Sequence, residues 1–278
     1  MDGQVALVTG ASRGIGRVMA ARLAAEGAQV ALLARSRAGL EETARLVAAA
    51  GARAWIAAVD VTDPRAVADA VGGALRDLGH FDLLVNNAGV TAKLAPVAEA
   101  DPDEWWSTVD INLRGTFLVL RAVLPSMLGR RSGRVVNVVS NAGVHRWPWM
   151  SAYSVSKAAV IKLTENVAAE VRNEGVVAFA FHPGLVNAGL TDAVWTEFRA
   201  DAPPGSREAK IRSWFAGKVA AGETVSAEAV ADFVVTLASG RYDALSGRYV
   251  TIDDDLDALL ARIEEVRRDD LLTLRLRA

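Results

Sequence analysis

Short apolar runs recur along the chain, and longer segments with helical periodicity separate most of them. The runs cover residues 4–9, 30–34, 54–59, 81–85, 135–139, 176–181 and 248–252. Apolar runs of this length, bounded by turn residues, are typical of buried strands. Strands that alternate with helices indicate crossover connections and therefore parallel pairing. The pattern predicts an α/β fold, a doubly wound parallel sheet of about seven strands with helices on both faces.

The same pattern indicates one domain without linkers or internal repeats. Residues 1–256 are predicted to form a single domain. Within it, residues 187–224 are less regular and rich in bulky aromatics, and we interpret them as an insertion or lid rather than a separate domain. Residues 257–278 are predicted to be a C-terminal helical tail, because the segment 256–276 is amphipathic and rich in charges.

Composition excludes several classes of function. The 278 residues carry a net charge of −2, which gives no electrostatic case for nucleic acid or an anionic membrane surface as a partner. There is no cysteine, so disulfides, thiolate nucleophiles and Cys-zinc sites are excluded. The three histidines, His80, His145 and His182, are too scattered to predict a metal site. Without a signal peptide or an apolar run expected to span a membrane, we expect a cytoplasmic protein.

A glycine-rich turn follows the first predicted strand. It reads Gly10-Ala11-Ser12-Arg13-Gly14-Ile15-Gly16, and a helix is predicted from there to about Glu26. Glycines let the backbone approach a pyrophosphate, and the helix N-terminus offers unpaired N–H groups and a partial positive charge. A glycine triplet alone is more often a plain turn, but strand, turn and helix together predict the dinucleotide site of a Rossmann-type sheet.

The residues after the second predicted strand favour NADP(H) over NAD. An acidic side chain at this place binds the ribose 2′-hydroxyl in NAD sites, whereas NADP sites use a nearby arginine. Here the sequence is Ala34-Arg35-Ser36-Arg37, and Arg13 lies in the glycine turn. Arg35 and Arg13 are suited to holding a 2′-phosphate by charge-assisted hydrogen bonds. The alternative is a solvated arginine at a helix start, where Ser36 serves as the N-cap.

Candidate catalytic residues lie between the fifth strand and the following helix. Tyr153 and Lys157 are four residues apart and therefore project from the same helix face. A cation beside a phenol lowers the phenol's pKa. Ser140 follows the strand 135–139, at the sheet edge where open α/β sheets bind ligands. Together the three side chains are suited to holding a carbonyl oxygen and exchanging a proton with it.

Two further polar groups stand out because each allows two interpretations. The adjacent amides Asn86 and Asn87 end the fourth strand, where they either tie neighbouring strands together or line the cofactor cleft. Asn112 interrupts an apolar helix predicted to start at Asp101, so it is either exposed or a buried amide with a purpose.

These motifs together resemble the short single-domain branch of the short-chain dehydrogenase/reductase family, over roughly residues 3–252. Thr9 to Gly16 matches its TGxxxGxG loop, Asn86-Asn87-Ala88-Gly89 its NNAG segment and Pro183-Gly184 its turn near the nicotinamide. The family's Asn-Ser-Tyr-Lys tetrad is matched in order and approximate spacing by Asn112, Ser140, Tyr153 and Lys157.

The resemblance implies roles for these residues. Tyr153 would be the general acid in reduction and the base in oxidation, Ser140 would hydrogen-bond the substrate oxygen, and Lys157 would lower the tyrosine's pKa and bind the nicotinamide ribose. Asn112 would hold a water in a proton relay, and Asp60 would contact the adenine. Implied cofactor contacts are Gly10, Ser12, Arg13, Gly14, Ile15, Gly16, Arg35, Asp60, Val61, Asn87, Ala88, Gly89, Tyr153, Lys157, Pro183, Gly184 and Val186.

The sequence also departs from the family pattern. Ala188 occupies the position where the family commonly has a threonine that bonds the nicotinamide carboxamide, and Thr191 is the nearest substitute. The final strand ends in Asp253-Asp254-Asp255 where Asp-Gly-Gly is usual, which puts the family's assembly contacts there in doubt.

Aromatic residues near the tetrad suggest an apolar or ring-containing substrate, because they provide large apolar contact areas. The alternative is that they only pack the lid against the core. The candidate substrate contacts are Ser140, His145, Trp147, Trp149, Trp195 and Phe198.

The sequence therefore predicts an NADP(H)-dependent oxidoreductase that interconverts a ketone or aldehyde and an alcohol by hydride transfer, with no metal. Three alternatives remain: an NAD-dependent alcohol dehydrogenase on the same fold, a lyase or epimerase that uses NAD without net turnover, and a non-catalytic dinucleotide-binding protein. By family analogy, a homodimer or homotetramer is expected.

Overall fold

The computed structural model describes residues 1–91, 93–186 and 203–276. Its strands form one parallel sheet. They are β1 (Val5–Thr9), β2 (Gln29–Ala34), β3 (Ala54–Ala58), β4 (Leu83–Asn86), β5 (Gly133–Val138), β6 (Val176–His182) and β7 (Tyr249–Thr251). Every predicted apolar run is a strand, and the bounds agree within two residues. The α/β prediction is confirmed.

The strand order is β3-β2-β1-β4-β5-β6-β7, and all neighbours pair in parallel. The order reverses between β1 and β4. The connections from β1 lead to β2 and β3 on one side of this point, and those from β4 lead to β5, β6 and β7 on the other. Open α/β sheets bind their ligands at the carboxyl ends of the strands beside such a point. The glycine turn after β1 and the Asn86–Asn87 pair of β4 lie there.

The helices begin where the sequence supplies caps. Asp63 and Asp101 each accept two backbone N–H groups ahead of a proline at the first helical position. Ser36 and Ser226 are also N-caps, and each accepts one backbone N–H group. The helices are α1 (Gly14–Ala25), α2 (Arg37–Ala49), α3 (Pro64–Leu78), α4 (Pro102–Val109), α5 (Gly115–Arg130), α6 (Ser151–Glu170), α7 (Arg207–Ala220), α8 (Ala227–Ala238), α9 (Leu256–Ala261) and α10 (Ile263–Arg268).

Two apolar layers cover the sheet. Helices α1, α2 and α8 pack on one face around Met19, Leu23 and Val234. Helices α3, α5 and α6 pack on the other face. Because both faces are covered, the strands read as almost continuous apolar runs rather than as alternating patterns.

The long helix predicted from Asp101 is interrupted. A π-helical turn, Asp110–Arg114, separates α4 from α5 and carries Asn112. The stretch Pro102–Arg130 is long and apolar enough, by length and composition, to cross a membrane. Such a run was not expected from the sequence. Its apolar character is explained by packing, since Val119 and Val123 are fully buried in the layer beneath the sheet.

The C-terminal segment differs from the single helix predicted for residues 256–276. It forms the two short helices α9 and α10 and then turns back in a non-helical stretch. Leu272 accepts a hydrogen bond at its carbonyl from the backbone N–H of Tyr249 in β7. Glu165 of α6 accepts hydrogen bonds from the backbone N–H of Leu274 and from Arg275. The segment thus covers the free edge of β7 and reaches the helix that carries Tyr153.

The lid prediction for residues 187–224 is only partly within the described residues. Val186 and Val225 form an isolated parallel bridge at the two ends of this segment. The two ends of the segment are therefore neighbours, as an insertion requires. The lid role, like the domain limits at 256 and 257, stays a prediction.

Candidate active site

Gly10 and Gly16 of the glycine turn have no room for a Cβ atom. Gly10 has φ +65°, a left-handed conformation, and a Cβ on Gly16 would overlap the carbonyl oxygen of Gly10 and lie 2.5 Å from Nδ2 of Asn87. Gly16 therefore lets the start of α1 approach the turn after β1. The resulting cradle of backbone at a helix N-terminus fits a dinucleotide pyrophosphate.

Side chains from β1 and β4 hold this cradle. The Thr9 hydroxyl accepts hydrogen bonds of 3.0 Å from the backbone N–H groups of Asn87 and Ala88, and Asn87 Nδ2 donates to the carbonyl of Thr9 at 3.0 Å. Asn86 instead donates to Asn137 Oδ1 at 2.9 Å, inside the sheet. The two interpretations of the amide pair are thus both realised: Asn86 ties β4 to β5, and Asn87 lines the cleft and ties it to β1.

Arg17 stabilises the glycine turn through hydrogen bonds, and this role was not predicted from the sequence. Its Nη2 lies 2.5 Å from the carbonyl oxygen of Ser12, and its Nε donates to the hydroxyl of Thr43 at 3.2 Å. Thr43 in turn donates to the carbonyl of Ala11 at 2.7 Å. Two of these contacts join the glycine turn and the start of α1 to α2, over separations of 26 and 32 residues, so no local pattern indicates them.

A cleft of about 440 Å³ opens along the carboxyl edge of the sheet. All seventeen residues predicted as cofactor contacts line it. They come from the ends of β1, β2, β4 and β6, the segment after β3, and the face of α6. The structure therefore brings together side chains and backbone from both halves of the chain.

Arg35 and Asp60 line the part of this cleft that follows β2 and β3. Both are exposed, as is Arg13 in the glycine turn. Hydrogen bonds from the backbone N–H and the hydroxyl of Thr62 lower the pKa of Asp60, and the nearby positive charge of Arg35 acts in the same direction. Asp60 is thus a fixed carboxylate, and the two exposed arginines provide positive charge at the ends of β1 and β2.

Tyr153 and Ser140 meet across the other end of the cleft. Ser140 lies two residues beyond the end of β5, and its hydroxyl accepts a hydrogen bond of 3.2 Å from the backbone N–H of Ala142. Burial raises the pKa of Tyr153, and the nearby Ser140 hydroxyl, which lowers it, offsets this only in part. The phenol is therefore protonated at neutral pH and can act as a proton donor.

Lys157 is buried behind the tyrosine. Its Nζ donates a hydrogen bond to the carbonyl of Val138 and lies 5.7 Å from the centroid of the Tyr153 ring. Burial lowers the pKa of Lys157 to about 8. The role that the resemblance implies for Lys157, lowering the pKa of Tyr153, stays a prediction.

Asn112 is the buried amide rather than the exposed position. Its Oδ1 accepts a hydrogen bond of 2.8 Å from the backbone N–H of Val90, and its Nδ2 donates to the carbonyl of Val90 and to Ser156 Oγ, both at 2.9 Å. The side chain therefore fixes the loop after β4 to α6. It stands behind the cleft wall rather than in it.

The predicted substrate contacts are placed in three different ways. Ser140 and Trp147 line the cleft, and the Trp147 ring packs edge-on against Trp214 of α7 with centroids 5.3 Å apart. His145 is exposed and lies outside the cleft wall, because the turn after Ser140 carries it outward. Trp149 lines a separate, adjoining cavity. The predicted contacts Trp195 and Phe198, and the departures Ala188 and Thr191, lie outside the described residues.

His182, at the end of β6, lines the cleft and was given no role from the sequence. Its ring stacks on Tyr249 with centroids 6.3 Å apart, and its buried Nδ1 has no hydrogen-bond partner among the described residues. Burial lowers the pKa of His182 to about 4, although the negative charge of Asp253 acts to raise it. The imidazole is neutral at neutral pH. Its position before Pro183 was visible in the sequence, but its burial depends on packing between β6 and β7.

The cleft lies where the strand order reverses. It has the glycine cradle on one side and Ser140, Tyr153 and Lys157 on the other. This combination defines a nicotinamide-dinucleotide-dependent oxidoreductase. A family model described as short chain dehydrogenase matches residues 4–198. The chain belongs to this family of oxidoreductases, which act on CH–OH or carbonyl groups of small molecules.

Relatives and solved structures agree along nearly the whole chain. The short chain dehydrogenase mpl6 of Monascus purpureus is 38% identical, over 99% of this chain and 89% of its own length. An NAD⁺-bound xylitol dehydrogenase is 33% identical with a TM-score of 0.83, covering 90% of this chain and 98% of the other. A single-residue variant of actinorhodin polyketide ketoreductase with NADPH is 32% identical with a TM-score of 0.81, covering 89% and 95%. Both cofactor types thus occur among similar structures.

Proposed function

We propose that this protein is an NADP(H)-dependent oxidoreductase that interconverts a ketone or aldehyde and the corresponding alcohol, with Tyr153 as the general acid and base. The observation that carries the proposal is that Tyr153 and Ser140 line the same cleft, with the Ser140 hydroxyl near enough to the Tyr153 phenol to lower its pKa. It marks the position where a carbonyl oxygen is both held and protonated.

When bound, the nicotinamide supplies or accepts the hydride, and the protein positions the proton. In reduction, the protonated Tyr153 donates its proton to the substrate oxygen while Ser140 hydrogen-bonds that oxygen as negative charge develops. In oxidation, the same phenol accepts the proton. Lys157 is proposed to hold the ribose hydroxyls and to return the proton to Tyr153. Asn112 keeps α6, and with it Tyr153, in register with the loop after β4.

The preference for NADP(H) rests on charge. In the part of the cleft formed by the ends of β1 and β2, the charged side chains are the arginines Arg13 and Arg35. A carboxylate after β2 would repel a 2′-phosphate, whereas a guanidinium binds it. Asp60 is engaged by Thr62 and is proposed to contact the adenine instead.

The first test is a titration of the protein with NADPH and NADH, followed by quenching of tryptophan fluorescence. We expect NADPH to bind at least tenfold more tightly, about 1.4 kcal/mol, and Arg35→Asp to lose that margin. Arg37→Asp is the matched control, because Arg37 is equally exposed but pairs with Glu41 and lies outside the cleft. Tighter binding of NADH would overturn the NADP(H) preference and favour an NAD-dependent alcohol dehydrogenase.

The chemistry is tested separately with Tyr153→Phe. The variant should bind the cofactor normally, yet its turnover of ketones with NADPH should fall by about 10²- to 10⁴-fold. Binding of neither cofactor by the wild-type protein would contradict the enzyme proposal and favour a non-catalytic role.

We also propose a homodimer or homotetramer. Three large apolar side chains, Trp106, Phe117 and Val155, are exposed on α4, α5 and α6. Exposed apolar surface of this kind is typical of subunit contacts. Light scattering of Phe117→Glu should show dissociation, and an unchanged assembly would exclude these helices as the contact. The cytoplasmic location, and the absence of nucleic-acid and membrane partners, stay predictions.

A further inference from the structure

A second cavity, of about 350 Å³, adjoins the cleft. Met150 and Tyr153 line both spaces, so the two adjoin at these residues. The second cavity lies between the loop before α4 and the start of α6. A substrate whose carbonyl reaches Tyr153 therefore has room to extend into it.

Two indoles form fixed walls of this cavity. Trp149 has φ +70°, a left-handed conformation that bulky residues rarely adopt, and its carbonyl accepts a 3.0 Å hydrogen bond from the backbone N–H of Ala95. Trp105 is fixed by its Nε1, which donates to Ser151 Oγ at 2.9 Å. Backbone strain that is held in place by neighbouring structure is characteristic of functional sites.

Arg207 closes the cavity from α7. Its side chain is only 25% exposed, and its guanidinium carbon lies 5.8 Å from the centroid of the Trp149 ring. The guanidinium also donates to the carbonyl of Leu94 and to Glu99, at 3.3 and 3.1 Å. A guanidinium carries five N–H donors in a fixed plane, so Arg207 is suited to donate to an oxygen that enters the cavity.

The charges around the cavity disfavour an anionic ligand. Three carboxylates, Glu99, Asp101 and Glu104, line it together with two cations, Lys93 and Arg207. Each cation already pairs with a glutamate. A ligand carboxylate would therefore enter a region with an excess of negative charge, whereas an uncharged oxygen accepts from Arg207 without this cost.

We propose that this cavity is a second substrate subsite, which takes an uncharged, oxygen-bearing extension of the carbonyl substrate. The indoles of Trp105 and Trp149 pack against the apolar part of the extension, and Arg207 donates a hydrogen bond to its terminal hydroxyl, ether or amide oxygen. The inference rests on the proposed function, since it assumes that the carbonyl lies at Tyr153.

The experiment compares four ketones that share one reacting group. They are acetophenone, para-propoxyacetophenone, its isostere para-(hydroxyethoxy)acetophenone, and para-acetylphenoxyacetic acid. Calorimetry gives the dissociation constant of each for the protein saturated with its preferred oxidised cofactor, and oxidation of the reduced cofactor is followed separately. Arg207→Gln is compared with Lys210→Gln, a matched control, because Lys210 is exposed on the same helix and lines neither cavity.

We expect the hydroxyethoxy ketone to bind at least tenfold more tightly than acetophenone and more tightly than the propoxy and carboxylate ketones. Arg207→Gln should remove most of the preference for hydroxyethoxy over propoxy, and Lys210→Gln should retain it. Tightest binding of the carboxylate, equal binding of all four ketones, or no measurable binding of the extended ones would overturn the subsite. Binding in the expected order without turnover would instead contradict the proposed chemistry and leave the subsite standing.

Discussion

The ammonium of Lys157 is tied to the strand that precedes Ser140, because its Nζ lies 2.8 Å from the carbonyl oxygen of Val138 and donates a hydrogen bond to it. Val138 is the last residue of β5, two positions before Ser140. One strand end thus positions both the cation and the hydroxyl of the site. Burial there lowers the pKa of Lys157 to about 8, so its charge changes within the range in which enzymes are assayed.

Activity should therefore fall at moderately alkaline pH. As pH rises through about 8, Lys157 loses its proton, and reduction loses the cation that holds the ribose and returns the proton to Tyr153. We expect kcat/KM to drop about tenfold one to two units above this pH. Profiles of kcat/KM between roughly pH 6 and 10 measure this drop.

Lys157→Arg should abolish the break in the pH profile, that is, the fall of kcat/KM above about pH 8, because a guanidinium stays charged. The control, Lys162→Arg, changes a half-exposed lysine of the same helix and should leave the profile unchanged. A break that persists in Lys157→Arg would assign it to another group.

Gly16→Ala should weaken cofactor binding by tenfold or more. Its Cβ would collide with the carbonyl of Gly10 and the amide of Asn87, so the glycine turn must move, at a cost of about 1–3 kcal/mol. Titration of the cofactor measures the loss of affinity, and thermal unfolding measures the cost to stability.

Gly129→Ala in α5 is the control, since a Cβ there meets nothing within 4 Å. It should stabilise the fold by about 0.5–1 kcal/mol and leave cofactor binding unchanged. Normal affinity in Gly16→Ala would show that the cradle is not needed.

Arg17→Met should raise the KM for the cofactor with little effect on kcat. The substitution removes the hydrogen bonds to Ser12 and Thr43 that hold the turn, and charged hydrogen bonds of this kind contribute about 1.5–3 kcal/mol. Steady-state kinetics with varied cofactor measure the split between KM and kcat. Arg45→Met, on the exposed side of α2, is the comparison. If both variants behave alike, the role of Arg17 is general stability only.

His182 should make the fold sensitive to acid. Its pKa is lowered from 6.5 to about 4 by burial, so between these values the unfolded chain binds a proton that the folded chain does not, and stability falls as pH falls. The contribution is on the order of 3 kcal/mol. Urea unfolding at several pH values should show a shallower loss of stability for His182→Gln. Tyr249→Phe keeps the stacked ring and should retain the wild-type slope. Equal slopes in wild type and His182→Gln would refute a neutral buried imidazole.

Much of the fold and the cofactor cleft could be predicted because their determinants are local. A buried parallel strand is a short apolar run, and helix starts such as Asp63-Pro64 are encoded within two residues. The glycine turn is equally local, since Gly10 and Gly16 belong to one loop. The tetrad spans a longer stretch, but each member follows from its place at the end of a strand or on a helix face.

The remaining features depend on contacts that the linear pattern does not encode. Arg17 acts through a residue of α2, and the pKa of Lys157 follows from burial by several elements. The direction of Trp149 depends on one left-handed backbone conformation, held by Ala95 across the gap between two loops. An aromatic near the tetrad could be recognised from the sequence, but not which of two cavities it lines.

The π-turn at Asp110–Arg114 sets a limit on how this segment can vary in length. A π-turn holds one residue more than an α-helical turn would at the same place. Removal of one residue would rotate α4 relative to α5 by about 100°, and Asn112 would leave Val90 and Ser156. Homologous chains and designed variants that keep this amide must therefore keep the extra residue, so a single deletion here is more damaging than most substitutions.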